Sequence, residues 1–146
     1  MKTALLDVNI LTALLWPTHE HHEVAHRWFG GRAGATWATC SVTQLGFVRI
    51  ASNPAFSQDA LSPAEALALL QENVAHPAHA FWTETLQVPP AVKGVAARLQ
   101  GSKQLTDAYL LALAHRRKGV LVTFDRGLRT LAGDEFRDSV DIVPTR

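Results

Sequence analysis

With 146 residues and 47% hydrophobic content, the chain is too apolar for a disordered segment. It suits one globular domain that buries about two-thirds of its unfolded surface. A formal charge of +1 neither indicates nor excludes a nucleic-acid partner, and the single cysteine, Cys40, excludes an internal disulfide and fits a reducing compartment.

In chain order, Thr3–Leu6 reads as a first strand ending at Asp7. Asn9 and the apolar run Ile10 to Trp16 form a helix stopped by Pro17. Thr18 is expected to cap the next helix, which runs to Gly30-Gly31. His21, Val24, Ala25, Trp28 and Phe29 share one of its faces, and Glu23 and Arg27 are spaced as an i,i+4 pair on the other. Thr36–Cys40 reads as the second strand, with Ser41 capping a helix through Ile50. Asn53-Pro54 marks a turn. Ser62-Pro63-Ala64-Glu65 carries a cap, a proline at the first helical position and the glutamate of a capping box, so a helix runs from there to Val74. His79–Trp82 is a third strand, and Pro89-Pro90 precedes a helix through Leu99.

Gln104 to Ala114 reads as a central packed helix, because Ala108, Leu110, Leu111, Leu113 and Ala114 cover most of its circumference. Thr106 suits its N-cap and Asp107 its first turn, where the helix dipole favours a negative charge. Arg116-Arg117-Lys118 and then Gly119 at C′ close it. Val120–Phe124 is a buried strand ending at Asp125, Leu128–Leu131 a brief helix, and Val140–Val143 a last strand. Strands alternating with helices over short connections predict a three-layer α/β/α unit with a central, mainly parallel sheet spanning 1–146. No run approaches the length that crosses a bilayer, and Asp7 comes too early for a signal peptide, so a cytoplasmic protein without membrane association is expected.

Ligands of open parallel sheets bind beyond the carboxyl ends of the strands. Asp7 and Asp125 each end a predicted strand, and Asp107 opens a helix that starts on the same edge. Each acid alone has a structural explanation, as a helix start, a dipole partner or a turn. Three on one edge, with no lysine or arginine adjacent in sequence to Asp7 or Asp107, favour a hard divalent cation.

Leu5-Leu6-Asp7-Val8-Asn9, Thr43-Gln44-Leu45-Gly46-Phe47-Val48-Arg49, Thr106-Asp107-Ala108-Tyr109-Leu110 and Thr123-Phe124-Asp125 resemble the ordered motifs of PIN-domain ribonucleases, most closely the VapC-type toxins of toxin–antitoxin pairs. The resemblance spans nearly the whole chain. It implies a PIN-like fold and a magnesium- or manganese-dependent endoribonuclease, usually a homodimer, held inactive by a small antitoxin. Asp7, Asp107 and Asp125 match the family's metal-site acids and are the implied catalytic residues. Many family members carry a glutamate where this chain has Gln44; an amide brings no charge, so one ion is expected to bind well and a second to arrive with the RNA phosphate. Asn9, Gln44 and Thr106 are expected around the ligands rather than among them. RNA also needs cations on its phosphates, for which Arg49, Lys103, Arg126 and Arg129 are candidates.

Rival readings exist. His22-Glu23-Val24-Ala25-His26 matches the H-E-x-x-H zinc motif, yet Glu23 lies round the helix from both histidines. No third ligand is evident, His76, His79 and His115 being only candidates for one. An aspartate-nucleophile phosphohydrolase would use Asp7, but position 9 is Asn and position 11 is Leu. A third reading is a PIN-fold binding or regulatory protein whose activity Gln44 has weakened. Trp16, Trp28, Phe29 and Trp37 are read mainly as core, with a part open to them in a groove for an antitoxin helix.

Overall fold

The computed structural model describes residues 1–145, and its centre is a five-stranded sheet. Strands β1 (Ala4–Leu6), β2 (Trp37–Thr39), β3 (His79–Phe81), β4 (Val120–Thr123) and β5 (Val140–Ile142) lie in the order β3-β2-β1-β4-β5, and every neighbouring pair is parallel. Parallel neighbours need crossover connections, which carry helices onto both faces.

Alternation along the strands sorts the layers. Ala4, Leu6, Trp37, Val120 and Val122 face one core, closed by α1 (Val8–Leu15), α2 (His22–Gly30), α3 (Ser41–Ala51) and α4 (Pro63–Val74). Leu5, Ala38 and Leu121 face the other, closed by α5 (Val88–Val92), α6 (Gln104–Arg116) and α7 (Gly127–Ala132). The result is the expected three-layer α/β/α arrangement. Each fully buried leucine of α6, such as Leu110, contributes about 2 kcal/mol of burial. Among the described residues no helix is long and apolar enough to cross a membrane.

Local chemistry explains most boundaries. At α4, Ser62 Oγ accepts from Glu65 N at 3.1 Å and Glu65 Oε1 accepts from Ser62 N at 2.9 Å, the predicted capping box. Both Pro89 and Pro90 sit in the short α5, where their missing N–H groups cost little, and the chain then tightens into a 3₁₀ segment over Lys93–Arg98. Gly46 lets α3 approach α1: a Cβ there would meet Val8 Cγ2 at 2.5 Å.

Several expected caps are displaced. Thr18 does not start α2; residues 17–21 form a turn in which His19 Nδ1 accepts from His21 N at 3.0 Å, and the helix begins at His22. Ser41 is the first residue of α3 and Cys40 is its N-cap, because the buried Thr43 hydroxyl accepts from Cys40 N at 3.0 Å. Thr106 does not cap α6. The chain is already turning at Gly101, with Gln104 N bonded to Gly101 O and the Gln104 side chain holding Gln100 N, so Lys103 is the cap and Thr106 lies within the first turn. At the far end Lys118, not Gly119, takes the left-handed conformation (φ 56°). Gly119 serves close approach instead, since a Cβ there would lie 2.6 Å from Thr3 O and from Trp82. Glu23 and Arg27 are exposed and form no ion pair among the described residues.

Candidate active site

The strand order reverses between β1 and β4, so a crevice opens beyond their carboxyl ends. Asp7 follows β1 and Asp125 follows Thr123 at the end of β4. Leu5 pairs with Leu121, so two positions further along Asp7 and Thr123 point to the same face as α6.

Asp7 is 6% exposed and doubles as the N-cap of α1. Its Oδ1 accepts from Val8 N at 2.7 Å and its Oδ2 from the Thr123 hydroxyl at 2.7 Å. Thr123 is fully buried and is the hub of the site, since its Oγ1 also accepts from Asn9 Nδ2 at 3.2 Å and from Asp125 N at 3.0 Å. The proton directions follow from the backbone. Phe124 N–H can only donate, so it fixes Asn9 Oδ1 towards itself at 3.2 Å and turns Nδ2 to Thr123. With both acceptor positions of the hydroxyl filled, its one proton goes to Asp7. Burial raises the Asp7 pKa; the hydrogen bonds from Thr123 and Val8 oppose that rise, and the charge on Asp125 adds to it.

Asp107, in the first turn of α6, makes no hydrogen bond or ion pair among the described residues. Its pKa is pushed up to about 7, first by desolvation and then by the charges of Asp7 and Asp125. Folding has therefore brought the three carboxyl groups within electrostatic reach of one another. Asp125 is the outermost: it is exposed, and its Oδ1 accepts from Gly127 N at 2.8 Å in a local turn. Among the described residues no three His, Cys, Asp or Glu side chains are close enough to form a ready-made ion cage. The donor chemistry nonetheless fits a hard divalent cation, because every donor is a carboxylate oxygen and Asp107, raised first by burial and then by two neighbouring acids, has no counter-charge paired with it among the described residues.

The remaining sequence candidates fall at varied distances. Asn9 is inside the network just described. Gln44 is turned to the end of β2, where its Nε2 donates to Thr39 Oγ1 at 3.0 Å. Thr106 is exposed and lines a hollow with Val42, Glu84, Val88, Leu105 and Tyr109, with none of the three acids in its wall. Lys103 caps α6, one turn before Asp107, and Arg126 follows Asp125; both are exposed. Arg126, Arg129 and Thr130 border a hollow of about 390 Å³ with Ile142 and Pro144. Arg49 lies about 12 Å of helix rise from the start of α3, farther from the crevice.

Thr123 was absent from the expected site residues. Its signal in sequence is a hydroxyl at the last position of an otherwise aliphatic buried strand. The zinc-motif histidines have another occupation: His22 Nδ1 lies 2.8 Å from Ala13 O and His26 Nε2 3.0 Å from Leu14 O. Carbonyls only accept, so both rings donate there and satisfy two of the orphan carbonyls at the end of α1. His76, His79 and His115 bond elsewhere, to Ala78 N, Thr39 and Ser139. Trp16 and Trp37 are buried, and Trp28 and Phe29 pack partly buried against the same core.

Comparison with known proteins agrees with this architecture. The PIN domain model matches residues 4–134. Ribonuclease VapC39 of Mycobacterium tuberculosis is 42% identical over 126 residues, covering 86% of this chain and 91% of that protein. Ribonuclease VapC38 of the same organism is 40% identical over 140 residues, covering 96% and 97%. Ribonuclease VapC44 is 43% identical over 129 residues, covering 88% and 90%. A parallel sheet of this order and likeness along almost the full length converge: the chain belongs to the PIN domain family, among its VapC-type ribonucleases.

Proposed function

We propose that the protein is a divalent-metal-dependent endoribonuclease, the toxin of a toxin–antitoxin pair, with Asp7, Asp107 and Asp125 as its catalytic acids and magnesium, or manganese, as its cofactor. The observation that carries the reading is Asp107, a carboxyl group in the first turn of α6 that makes no side-chain hydrogen bond or ion pair among the described residues, on the sheet edge that also carries Asp7 and Asp125; burial and those two charges push its pKa up to about 7. Such a group is mismatched to an empty site and matched to one that holds a cation.

Asp7 and Asp107 would hold the ion, and Asp125 would join them through water or by releasing Gly127 N. When bound, the ion supplies a water of lowered pKa and charge stabilisation at the scissile phosphate. Thr123 favours the ionised form of Asp7 against the larger effect of burial and fixes its rotamer, while Asn9 keeps Thr123 turned to Asp7. Arg126 and Lys103, on either side of the acids in the chain, are placed to meet RNA phosphates. The relatives named ribonuclease support an RNA substrate, and their VapC names support a cognate antitoxin as partner. A homodimer and action of residues 1–146 as one catalytic unit complete the proposal.

The phosphohydrolase alternative fits less well, because position 9 is Asn rather than a second acid, its side chain spent on Thr123 and Phe124 N, and position 11 is Leu rather than a hydroxyl residue. A defined RNA pool incubated with magnesium, with manganese and with chelator tests the proposal. Cleavage should need the metal and disappear in Asp7→Asn and Asp107→Asn. Metal-independent cleavage, or full activity in both variants, would reject it.

A further inference from the structure

A third hollow, of about 230 Å³, opens between the turn over residues 17–21 and the loop that follows α3. Its wall holds Trp16, Thr18, His19, Glu20, Phe56 and Ser57. It is smaller than the pockets that take drug-sized ligands and of the scale of one flat ring system. Trp16, His19 and Phe56 make the wall aromatic. Phe56 is 65% exposed, a large apolar ring left open to solvent.

A row of rings ties this hollow to the acids. His21 lies 5.8 Å from His19 and 5.3 Å from Phe124, centroid to centroid. Phe124 is the residue between Thr123 and Asp125, and its N–H holds Asn9 Oδ1. The His19 wall therefore stands two ring-to-ring steps from the segment that carries Asp125.

The polar groups of the hollow suit a base and not a phosphate. Glu20 lines it and no lysine or arginine does, so an anion would be repelled, whereas a carboxylate accepts from the amino group of a base. His19 Nδ1 accepts from His21 N at 3.0 Å, so the neutral ring carries its proton on Nε2 as a donor. Burial first, and the charge of His21 second, lower the His19 pKa, which keeps that ring neutral near pH 7. Ser57 Oγ accepts from Asp59 N at 3.0 Å and keeps its own proton to give.

We propose that this hollow is a base subsite, which takes one unpaired nucleobase with an exocyclic amino group, near the scissile phosphate of the RNA, against the rings of Phe56 and His19. Every base has a π-face that an aromatic ring can stack on, once the base is turned out of any helix. The subsite thus directs cleavage to single-stranded RNA, and Glu20 disfavours uracil, whose edge has no amino group.

The subsite rests on the nuclease reading, and its test separates the two. Oligoribonucleotides that the parent cuts with magnesium are remade with one base at a time replaced by an abasic ribose. In the parent, removing the base that fills the hollow should lower kcat/KM about tenfold. In Phe56→Ala the intact RNA should lose about as much, through KM, and the same abasic position should cost nothing further. Phe56→Tyr should behave as the parent. His19→Asn keeps an acceptor for His21 N while removing the ring, and should also uncouple that position. Glu20→Gln should relax the discrimination against uracil. Metal-dependent cleavage with no abasic position coupled to Phe56 or His19 would overturn the subsite and leave the nuclease standing. So would parent kinetics in Phe56→Ala, the result expected if the hollow takes a protein segment. Absence of metal-dependent cleavage in the parent would overturn both.

Discussion

Asp107 offers the sharpest test of the site's electrostatics. Its pKa rises from 3.8 to about 7 on folding, through burial first and the neighbouring carboxylates second. At 1.36 kcal/mol per unit that is about 4 kcal/mol; Asp107 is only partly buried, and screening reduces this to about 2 kcal/mol. Below pH 3.8 the folded and unfolded chains both hold the proton and nothing is lost. Between there and about pH 7 the unfolded chain has released it while the folded chain keeps it, so stability falls as pH rises; above about 7 the loss is complete. Asp107→Asn removes the titration. In chelator, the variant should match the parent near pH 4 and exceed it by about 2 kcal/mol at pH 8, a gain of about 4–8 °C in Tm for a domain of this size. Magnesium should reverse the order at pH 8 by binding the folded parent more tightly than the variant. Urea unfolding and thermal melts across pH 4–8 provide the measurement. Parallel pH profiles for the two proteins would show that Asp107 is not held against its charge, and the argument for a cation site would go with it.

Three further outcomes follow from named contacts. Thr123→Val removes the donor to Asp7 and the acceptor for Asn9 and Asp125 N, so it should cost about 1–3 kcal/mol in urea unfolding and lower the cleavage rate, while Thr123→Ser retains most of both. Gly46→Ala drives a Cβ to 2.5 Å from Val8 Cγ2, which should cost about 1–3 kcal/mol, and Val8→Ala in the same chain should recover much of it in a double-mutant cycle. His22→Ala strips the donor from Ala13 O at the end of α1 and should cost about 1 kcal/mol, with RNA cleavage unchanged; loss of a zinc-dependent activity in this variant would instead revive the zinc reading.

The order of elements, the parallel three-layer architecture and the Ser62–Glu65 capping box were legible in the sequence, because periodicity, caps and breakers act over a few residues. So was the coincidence of three acids with element ends on one sheet edge, which alternation of strands and helices implies without any contact being known. What local pattern left open was which partner each polar side chain finds. Thr18 and Thr106 each suit a cap by type, and each was displaced because a neighbouring turn reached the backbone first, while Gly119 sits one residue past the left-handed Lys118 with its N–H bonded to Ala114 O at 2.9 Å. His22 and His26 spell a metal motif, yet the end of α1 supplies carbonyls that take their protons. Thr123 became the hub of the site only because β1 and β4 pair in register and set it against Asp7, 116 positions away in the chain. Sequence alone determined which groups could do chemistry and on which edge they gather; tertiary pairing decided which of them meet, since hydrogen-bond geometry is satisfied by whatever folding brings within 3 Å.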